Sequence, residues 1–458
     1  MPIVDYEALQ RDVDRMAAGQ AGVLVSAPVV AFDETGGSTR GPKLIPHTAA
    51  SLAAFRSALL PWIDDLAMAF PGITGGSAYW AISPVARAPR TTQGGTPVGL
   101  GSDAAYFGEE LAPHVLDILA VPPTVAASSG IEAWRDATCA HLLCREGLAL
   151  ISVWSPTFFT DLLAHMLAKH DQWPAWVEAN AAGRGDGVKR RASLIRHALS
   201  TDPPDFRAIW PALEVVSCWD QAASRNYAQA LRSMLPGVAI QGKGLLATEG
   251  VVTIPLMEHV MPVLAVESGF FELQDKDGAC CMACDGRVGE EYALLMTTEG
   301  GLYRYAIGDR VRVHGYAGET PMLEFLGRDG LVSDLCGEKL SEAFAIGATA
   351  GLGLRFALLA PLDVPRRGYA LLVDADELEA ADTEAVAARV DEALCRNPQY
   401  AYSRRLGQLA RLEVRRCTRP LETWRDAALE RGMRLGDIKP PALSPEPGWE
   451  QRFQCVGP

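Results

Sequence analysis

The feature that most constrains the fold is a strand–helix–strand run in the middle of the chain. Leu213-Glu214-Val215-Val216-Ser217-Cys218 reads as a buried strand. Ala223 to Met234 has apolar residues at helical spacing, and Val238-Ala239-Ile240 reads as a second strand. Strands joined in this way pair in parallel, so the run predicts a parallel sheet with helices on its faces. Ligands in such sheets bind beyond the carboxyl ends of the strands, which puts Gln241 to Gly250 at the mouth of a site.

The flanking segments fill in an α/β organisation. Two helix-like stretches, Tyr6 to Ala18 and Ala49 to Ala69, open the chain. Further on, Tyr292 to Thr298 and Leu302 to Tyr305 flank Glu299-Gly300-Gly301, a pattern that predicts an antiparallel hairpin. Gly327-Arg328-Asp329-Gly330 follows the segment Leu323 to Leu326 and marks a boundary. Beyond it, strands are expected at Phe356–Ala360, Tyr369–Val373 and Leu412–Arg416, with a helix at Thr383–Cys395. The reading is a large domain over residues 1–327, a hinge at 328–330 and a small α+β domain over 331–458.

Composition excludes several classes. The formal net charge of −14 and the lack of a basic stripe argue against nucleic acid as a partner. No apolar run approaches the roughly 20 residues needed to span a bilayer, so no membrane role is expected. The start, Met1-Pro2-Ile3-Val4-Asp5-Tyr6-Glu7, does not read as an export signal. Ten dispersed cysteines suit reduced thiols, and a cytoplasmic protein is expected. Cys280, Cys281 and Cys284 cluster without partner ligands at zinc spacing and read as part of a strand. Lys189-Arg190-Arg191 reads as a solvated helix start, and His47, His141 and His314 show no hydrolase or metal pattern.

One loop stands out for chemistry. Thr35-Gly36-Gly37-Ser38-Thr39-Arg40-Gly41-Pro42-Lys43 follows the apolar run Val29 to Phe32. Its glycines let backbone N–H groups turn toward an anion, and Ser38, Thr35, Thr39 and Lys43 add donors suited to a polyphosphate. The spacing is not that of a nucleoside triphosphatase loop, because Pro42 precedes Lys43 and no Ser or Thr follows it.

Four further segments accompany the loop, in order along the chain. They are Ala247-Thr248-Glu249-Gly250, Gly301-Leu302-Tyr303-Arg304-Tyr305-Ala306-Ile307-Gly308-Asp309, Gly327-Arg328 with Gly337-Glu338-Lys339-Leu340-Ser341-Glu342, and Gly436-Asp437-Ile438-Lys439-Pro440-Pro441. With Ser152 to Phe158 and Asn397-Pro398-Gln399-Tyr400, this series resembles the acyl acid amido synthetases, the auxin-conjugating family of the adenylate-forming superfamily, in a short bacterial-type form.

The resemblance implies an α/β fold with a large N-terminal adenylate-forming domain and a small mobile C-terminal domain. It implies an ATP- and Mg²⁺-dependent ligase with two small-molecule partners, a carboxylic acid and an amine. By the same resemblance Glu249 would hold Mg²⁺, with Thr248 donating to a phosphate. Asp309 would accept the ribose hydroxyls, and Arg328 would approach the ribose at the hinge. Lys439 would enter the site for adenylation and neutralise repulsion between two anions.

Two positions depart from the family pattern. Arg40 stands where related loops have glycine, and Leu245 stands where relatives stack a tyrosine on adenine. Ser102 to Phe107 and Trp154 to Phe159 are aromatic-rich and offer Asp103, Tyr106, Phe107, Trp154 and Thr157 as acyl-pocket candidates; they serve equally as core packing. Two alternatives stay open at this point: a thioester-forming coenzyme A ligase using the same adenylate, and a noncatalytic nucleotide-binding module.

Overall fold

The computed structural model describes residues 1–35, 43–80, 90–99, 106–180, 186–328, 331–362 and 367–456. The central run forms as its pattern requires. Strand Val215–Cys218 leads through a 3-10 turn, Ala222–Ser224, into helix Arg225–Met234 and then strand Ala239–Gly242. The two strands are parallel, with Val215 beside Ala239 and Cys218 beside Gly242. Leu148–Ser152 and Ser77–Trp80 extend this sheet on the other side, also in parallel. Every residue of Val215–Cys218 is buried, as a strand covered on both faces must be. Val216 joins a core with helices Ile131–Cys144 and Pro156–Ala168, while Val215 packs with Phe55, Leu59 and Trp62 of helix Ala49–Ala69.

A seven-stranded antiparallel sheet carries the second half of the large region. Its order is Thr253–Ile254, Val263–Leu264, Thr320–Arg328, Tyr305–Ala317, Glu291–Thr297, Phe270–Gln274 and Cys280–Met282. The predicted hairpin is present, but its second strand begins at Tyr305, not at Leu302. Gly301 and Arg304 have φ of +95° and +48°, a left-handed backbone that interrupts the extended run. Arg304 in turn holds Glu272 through Nε and Nη2, each at 2.9 Å.

The C-terminal sheet runs in the order Ala357–Pro361, Tyr369–Asp374, Glu413–Cys417 and Cys455–Val456, with the middle pair parallel. Alternation along its strands splits the side chains between two cores. Leu359, Leu371 and Val373 face helices Glu342–Thr349 and Thr383–Leu394. Leu358 and Leu372, with Trp424 and Phe453, are continuous with the core of the parallel sheet. Asn226 Nδ2 donates to the Leu354 carbonyl at 2.7 Å and Arg425 pairs with Asp161, so the two regions are joined by apolar and polar contacts alike.

Two smaller expectations resolve here. All ten cysteines are free thiols; Cys280 and Cys281 lie in the strand Cys280–Met282 as expected, at the sheet edge, whereas Cys284 falls in the 3-10 turn Ala283–Asp285 that follows. Of the basic run, Arg191 is structural: Nε and Nη2 donate to the Leu143 carbonyl at 3.1 and 2.8 Å and so cap helix Ile131–Cys144. Among the described residues, no helix is long and apolar enough to cross a membrane.

Candidate active site

Thr248 and Glu249 are the two turn residues of a small hairpin, in which Ala247 pairs with Gly250 and Leu246 with Val251. The backbone fixes the hairpin from below, since Leu245 N–H donates to Thr253 Oγ1 at 2.8 Å. A side chain at Gly250 would meet Met296 Cε at 3.0 Å, so the small residue lets the hairpin lie on the antiparallel sheet. The turn therefore presents Glu249 at its tip, half-buried, with the Tyr305 hydroxyl 3.4 Å from Oε1. Burial pushes the Glu249 carboxyl up; Arg328 and Lys43 nearby partly offset that rise. Leu245 itself is half-buried against the core beneath the antiparallel sheet.

Asp309 and Arg328 face each other in register on strands Tyr305–Ala317 and Thr320–Arg328. Arg328 Nε donates to Asp309 Oδ1 at 3.0 Å. The aspartate is 1% exposed, so it is a strand residue and not the surface turn that Gly308 alone would suggest. Its other oxygen, Oδ2, is buried and accepts no hydrogen bond among the described residues. An ionised carboxylate left half-satisfied is costly, which fits an oxygen that completes its hydrogen bonding with a ligand hydroxyl.

Lys439 reaches this pair from the far end of the chain. It follows the 3-10 turn Leu435–Asp437 and precedes Pro440 and Pro441, which restrict the backbone on its carboxyl side. Its Nζ lies 5.2 Å from the Trp219 ring centroid and 5.5 Å from that of Phe325. Burial and Arg328 lower its pKa, while Glu342 and Asp309 act the other way. Lys439 is thus half-buried between the Trp219 and Phe325 rings and is not part of a solvated tail.

The loop Thr35–Lys43 is described only at its ends, where Thr35 and Lys43 close an antiparallel pair. Gly36, Gly37, Ser38, Thr39 and Arg40 lie outside the described residues, as do Asp103 and the hinge residues 329–330. Lys43 Nζ sits 5.2 Å over the Tyr6 ring, on the Glu249 side of the cleft. Tyr106 stacks on Phe55 with centroids 4.5 Å apart and donates to Asp33 Oδ2 at 2.6 Å; Phe107 lies 5.4 Å from Trp80. Trp154 is linked to Lys439 through Trp219, whose ring centroid is 5.8 Å from that of Trp154 and 5.2 Å from the ammonium. The Thr157 hydroxyl is 2.6 Å from Ser155 Oγ, at the start of helix Pro156–Ala168.

Several contributors carry weak sequence signals. Trp219 directly follows the buried strand Val215–Cys218, so the rule about strand ends could have found it. Lys243, 4% exposed, lies between the Trp62 and Trp154 rings at 5.1 and 5.2 Å and donates to Ser152 Oγ at 2.6 Å. Tyr305 and Glu342 sit inside noted motifs, but only the folded chain shows them facing the cleft. Among the described residues, Glu132, Asp136 and His165 are the one group with metal-like clustering. Lys169 Nζ already bonds there, 3.0 Å from Glu132 and 2.7 Å from Asp136.

Family models match three stretches that leave the Ala247–Gly250 hairpin between the first two. The GH3 family N-terminal domain matches residues 1–240, the central domain 263–328 and the C-terminal domain 342–448. The chain belongs to the GH3 family. This GH3 chain is 23% identical over 385 residues to the indole-3-acetic acid-amido synthetase GH3.4 of Arabidopsis thaliana, covering 75% of this chain and 63% of that protein. It therefore spans less than two thirds of that plant relative's length. A GH3 domain-containing protein of Homo sapiens is 28% identical over 189 residues, covering 38% of this chain and 36% of the human protein.

Among solved structures, the acyl acid amido synthetase AtGH3.15 in complex with 2,4-DB superposes with a TM-score of 0.85 at 18% identity, covering 100% of this chain and 87% of that one. A 2-hydroxyisobutyryl-CoA ligase in the postadenylation state gives 0.51 at 13% identity, covering 90% and 75%. These likenesses establish the GH3 chain's α/β fold.

Proposed function

We propose that this GH3 chain is an AMP-forming ligase that joins a carboxylic acid to an amine in two steps. ATP and the acid give an acyl-adenylate and pyrophosphate; the amine then attacks the acyl carbon, forming the amide and expelling AMP. The observation that carries this reading is the Lys439 ammonium lying 5.5 Å from the Phe325 ring, on the strand that ends in Arg328 and pairs with Asp309, although more than 100 residues separate the two segments in the sequence.

Each group has a task that its chemistry suits. Asp309 Oδ2 is the acceptor for a ribose hydroxyl, and Arg328 holds the carboxylate in place while its charge faces the nucleotide. Glu249, at the hairpin tip, is the hard oxygen donor that would hold Mg²⁺, and Thr248 beside it would donate to a phosphate. Mg²⁺, when bound, would neutralise charge on the phosphates. Residues 35–43 would cradle the outer phosphates, with Lys43 already on the Glu249 side. Lys439 would stand between the attacking carboxylate and the α-phosphate and stabilise the charge that builds there.

The plant relatives are named as indole-3-acetic acid-amido synthetases, which supports an amine as the second substrate. Trp154 and Trp219, half-buried beside the lysine, suit a flat acyl group. The division into residues 1–327 and 331–458 about a hinge at 328–330 would let the small region turn between the two steps. Mass spectrometry of products from mixed acids and amines with ATP and Mg²⁺ tests the reading. It requires AMP, pyrophosphate and an amide. ADP with inorganic phosphate would replace it with acyl-phosphate chemistry, and faster consumption of the adenylate by coenzyme A would replace the amine step with thioester formation.

A further inference from the structure

Glu342 opens helix Glu342–Thr349, whose N-cap Ser341 accepts the Phe344 N–H at 3.3 Å. An acid in the first turn of a helix is ordinarily explained by the helix dipole and points to solvent. Here the side chain does something else. Its Oε1 accepts the backbone N–H of Ala442 at 3.2 Å, a residue 100 positions away and three beyond Lys439. Its Oε2 lies 3.8 Å from where a Cβ on Gly327 would stand, directly before Arg328. The carboxylate therefore sits between the segment that carries Lys439 and the strand end that carries Arg328.

That position has two consequences. The hydrogen bond fixes the backbone just after Pro440 and Pro441, and so fixes where the Lys439 side chain begins. The negative charge also faces the lysine from the helix side. The groups that act on Lys439 are Arg328 from one strand, Asp309 from its neighbour and Glu342 from the helix, with Trp219 and Phe325 against the ammonium. Arg328 opposes the charged lysine, so the two carboxylates supply the compensation. Asp309 is already engaged with Arg328. Glu342 is the carboxylate bound to the lysine's own loop.

We propose that Glu342 is the positioning residue for Lys439: it ties residues 439–442 to the helix that follows the domain boundary and keeps the ammonium charged and aimed at the reacting groups. This rests on the ligase reading above. Glu342→Ala removes both the bond to Ala442 and the charge. Glu342→Gln keeps an acceptor for the N–H and removes only the charge.

The test measures acid-dependent pyrophosphate release and, separately, amide formation from a prepared acyl-adenylate, in the full chain, with thermal unfolding as a check on folding. Glu342→Ala is expected to slow adenylation roughly tenfold, the scale of coupling between interacting residues, and to leave amide formation from the supplied adenylate at the wild-type rate. Glu342→Gln is expected to lose less at neutral pH, and the alkaline fall of its adenylation rate should begin at lower pH, because the neighbouring charge that favoured the protonated lysine is gone. In a Lys439→Ala background, Glu342→Ala should cost nothing more.

Three results would overturn the proposal: equal loss in both half-reactions, an unmoved pH profile in Glu342→Gln, or a full further loss in the double variant. A wild-type protein that releases no pyrophosphate with any acid would instead overturn the ligase reading itself.

Discussion

Asp309 and Arg328 stand on neighbouring strands of a seven-stranded sheet, whereas Lys439 stands on a short loop between a 3-10 turn and two prolines. Asp309 is fixed by backbone register: to move it, the pairing of two long strands would have to slip, and Arg328 is held to it from the last position of its own strand, where the proposed hinge begins. The lysine is fixed by a few side-chain contacts, with Trp219, Phe325 and, through Ala442, Glu342. Such contacts can be exchanged without unfolding anything. The difference matches the proposed chemistry. A nucleotide is present in both half-reactions, as ATP and then as the adenylate, so its anchor should be rigid. A cation beside the phosphate is needed in the first step, while the second needs open approach to the acyl carbon.

The contrast can be broken most forcefully at the lysine. Lys439→Ala should slow acyl-adenylate formation by orders of magnitude, consistent with ~3–4 kcal/mol from one transition-state contact. Pyrophosphate release at saturating ATP and acid is the measurement. Loss of binding without loss of rate would make the lysine a substrate anchor. Asp309→Ala comes next in size. It should weaken ATP binding by about 1.5–3 kcal/mol, the usual range for hydrogen bonds to charged groups, read by direct ATP titration of the folded variant.

Smaller changes sharpen the comparison. Trp219→Leu removes one ring face from the ammonium, worth about 0.5–2 kcal/mol. Adenylation should fall severalfold with ATP affinity unchanged; a drop in ATP affinity would put Trp219 on the nucleotide side.

The pH profile is the gentlest probe. Burial raises the pKa of Glu249 in the metal-free protein, and the residue must be ionised to hold Mg²⁺, so Mg²⁺ binding should strengthen as pH rises through a value above the ordinary carboxylate one. Burial and Arg328 lower the Lys439 pKa, and the residue must stay protonated, so the rate should fall as pH passes a value below the usual lysine range. Adenylation by Lys439→Ala should lack that alkaline fall, whereas Trp219→Leu should keep it.

Legibility followed the same divide. The parallel pair Val215–Cys218 and Ala239–Gly242, the helices at Tyr6–Ala17 and Ala49–Ala69 and the strands Ala357–Pro361, Tyr369–Asp374 and Glu413–Cys417 were readable because burial imposes a period on the residues; the partners Ser77–Trp80, Leu148–Ser152 and Cys455–Val456 were not. Glu249 was readable as a candidate from its place beyond a strand end, although nothing local gave away its two-residue turn. The start of the strand at Tyr305 was not readable. It depends on a left-handed backbone at Arg304, stabilised by a distant partner, Glu272. Asp309 illustrates the limit most clearly. In sequence it follows a glycine and looks like a turn; only register with Arg328, across a hairpin, buries it. Trp219 and Glu342 meet the Lys439 segment through contacts between segments remote in the chain, and no local pattern records those.

The central claim is that the strand-borne anchor serves both steps and the loop-borne lysine only one. Single-turnover amide formation from a supplied acyl-adenylate, measured side by side for Lys439→Ala and Asp309→Ala, tests it most directly. The account predicts that Lys439→Ala keeps pace with the wild type and that Asp309→Ala is impaired at subsaturating adenylate. Equal impairment of the two variants, or an impaired Lys439→Ala beside an unimpaired Asp309→Ala, would contradict it.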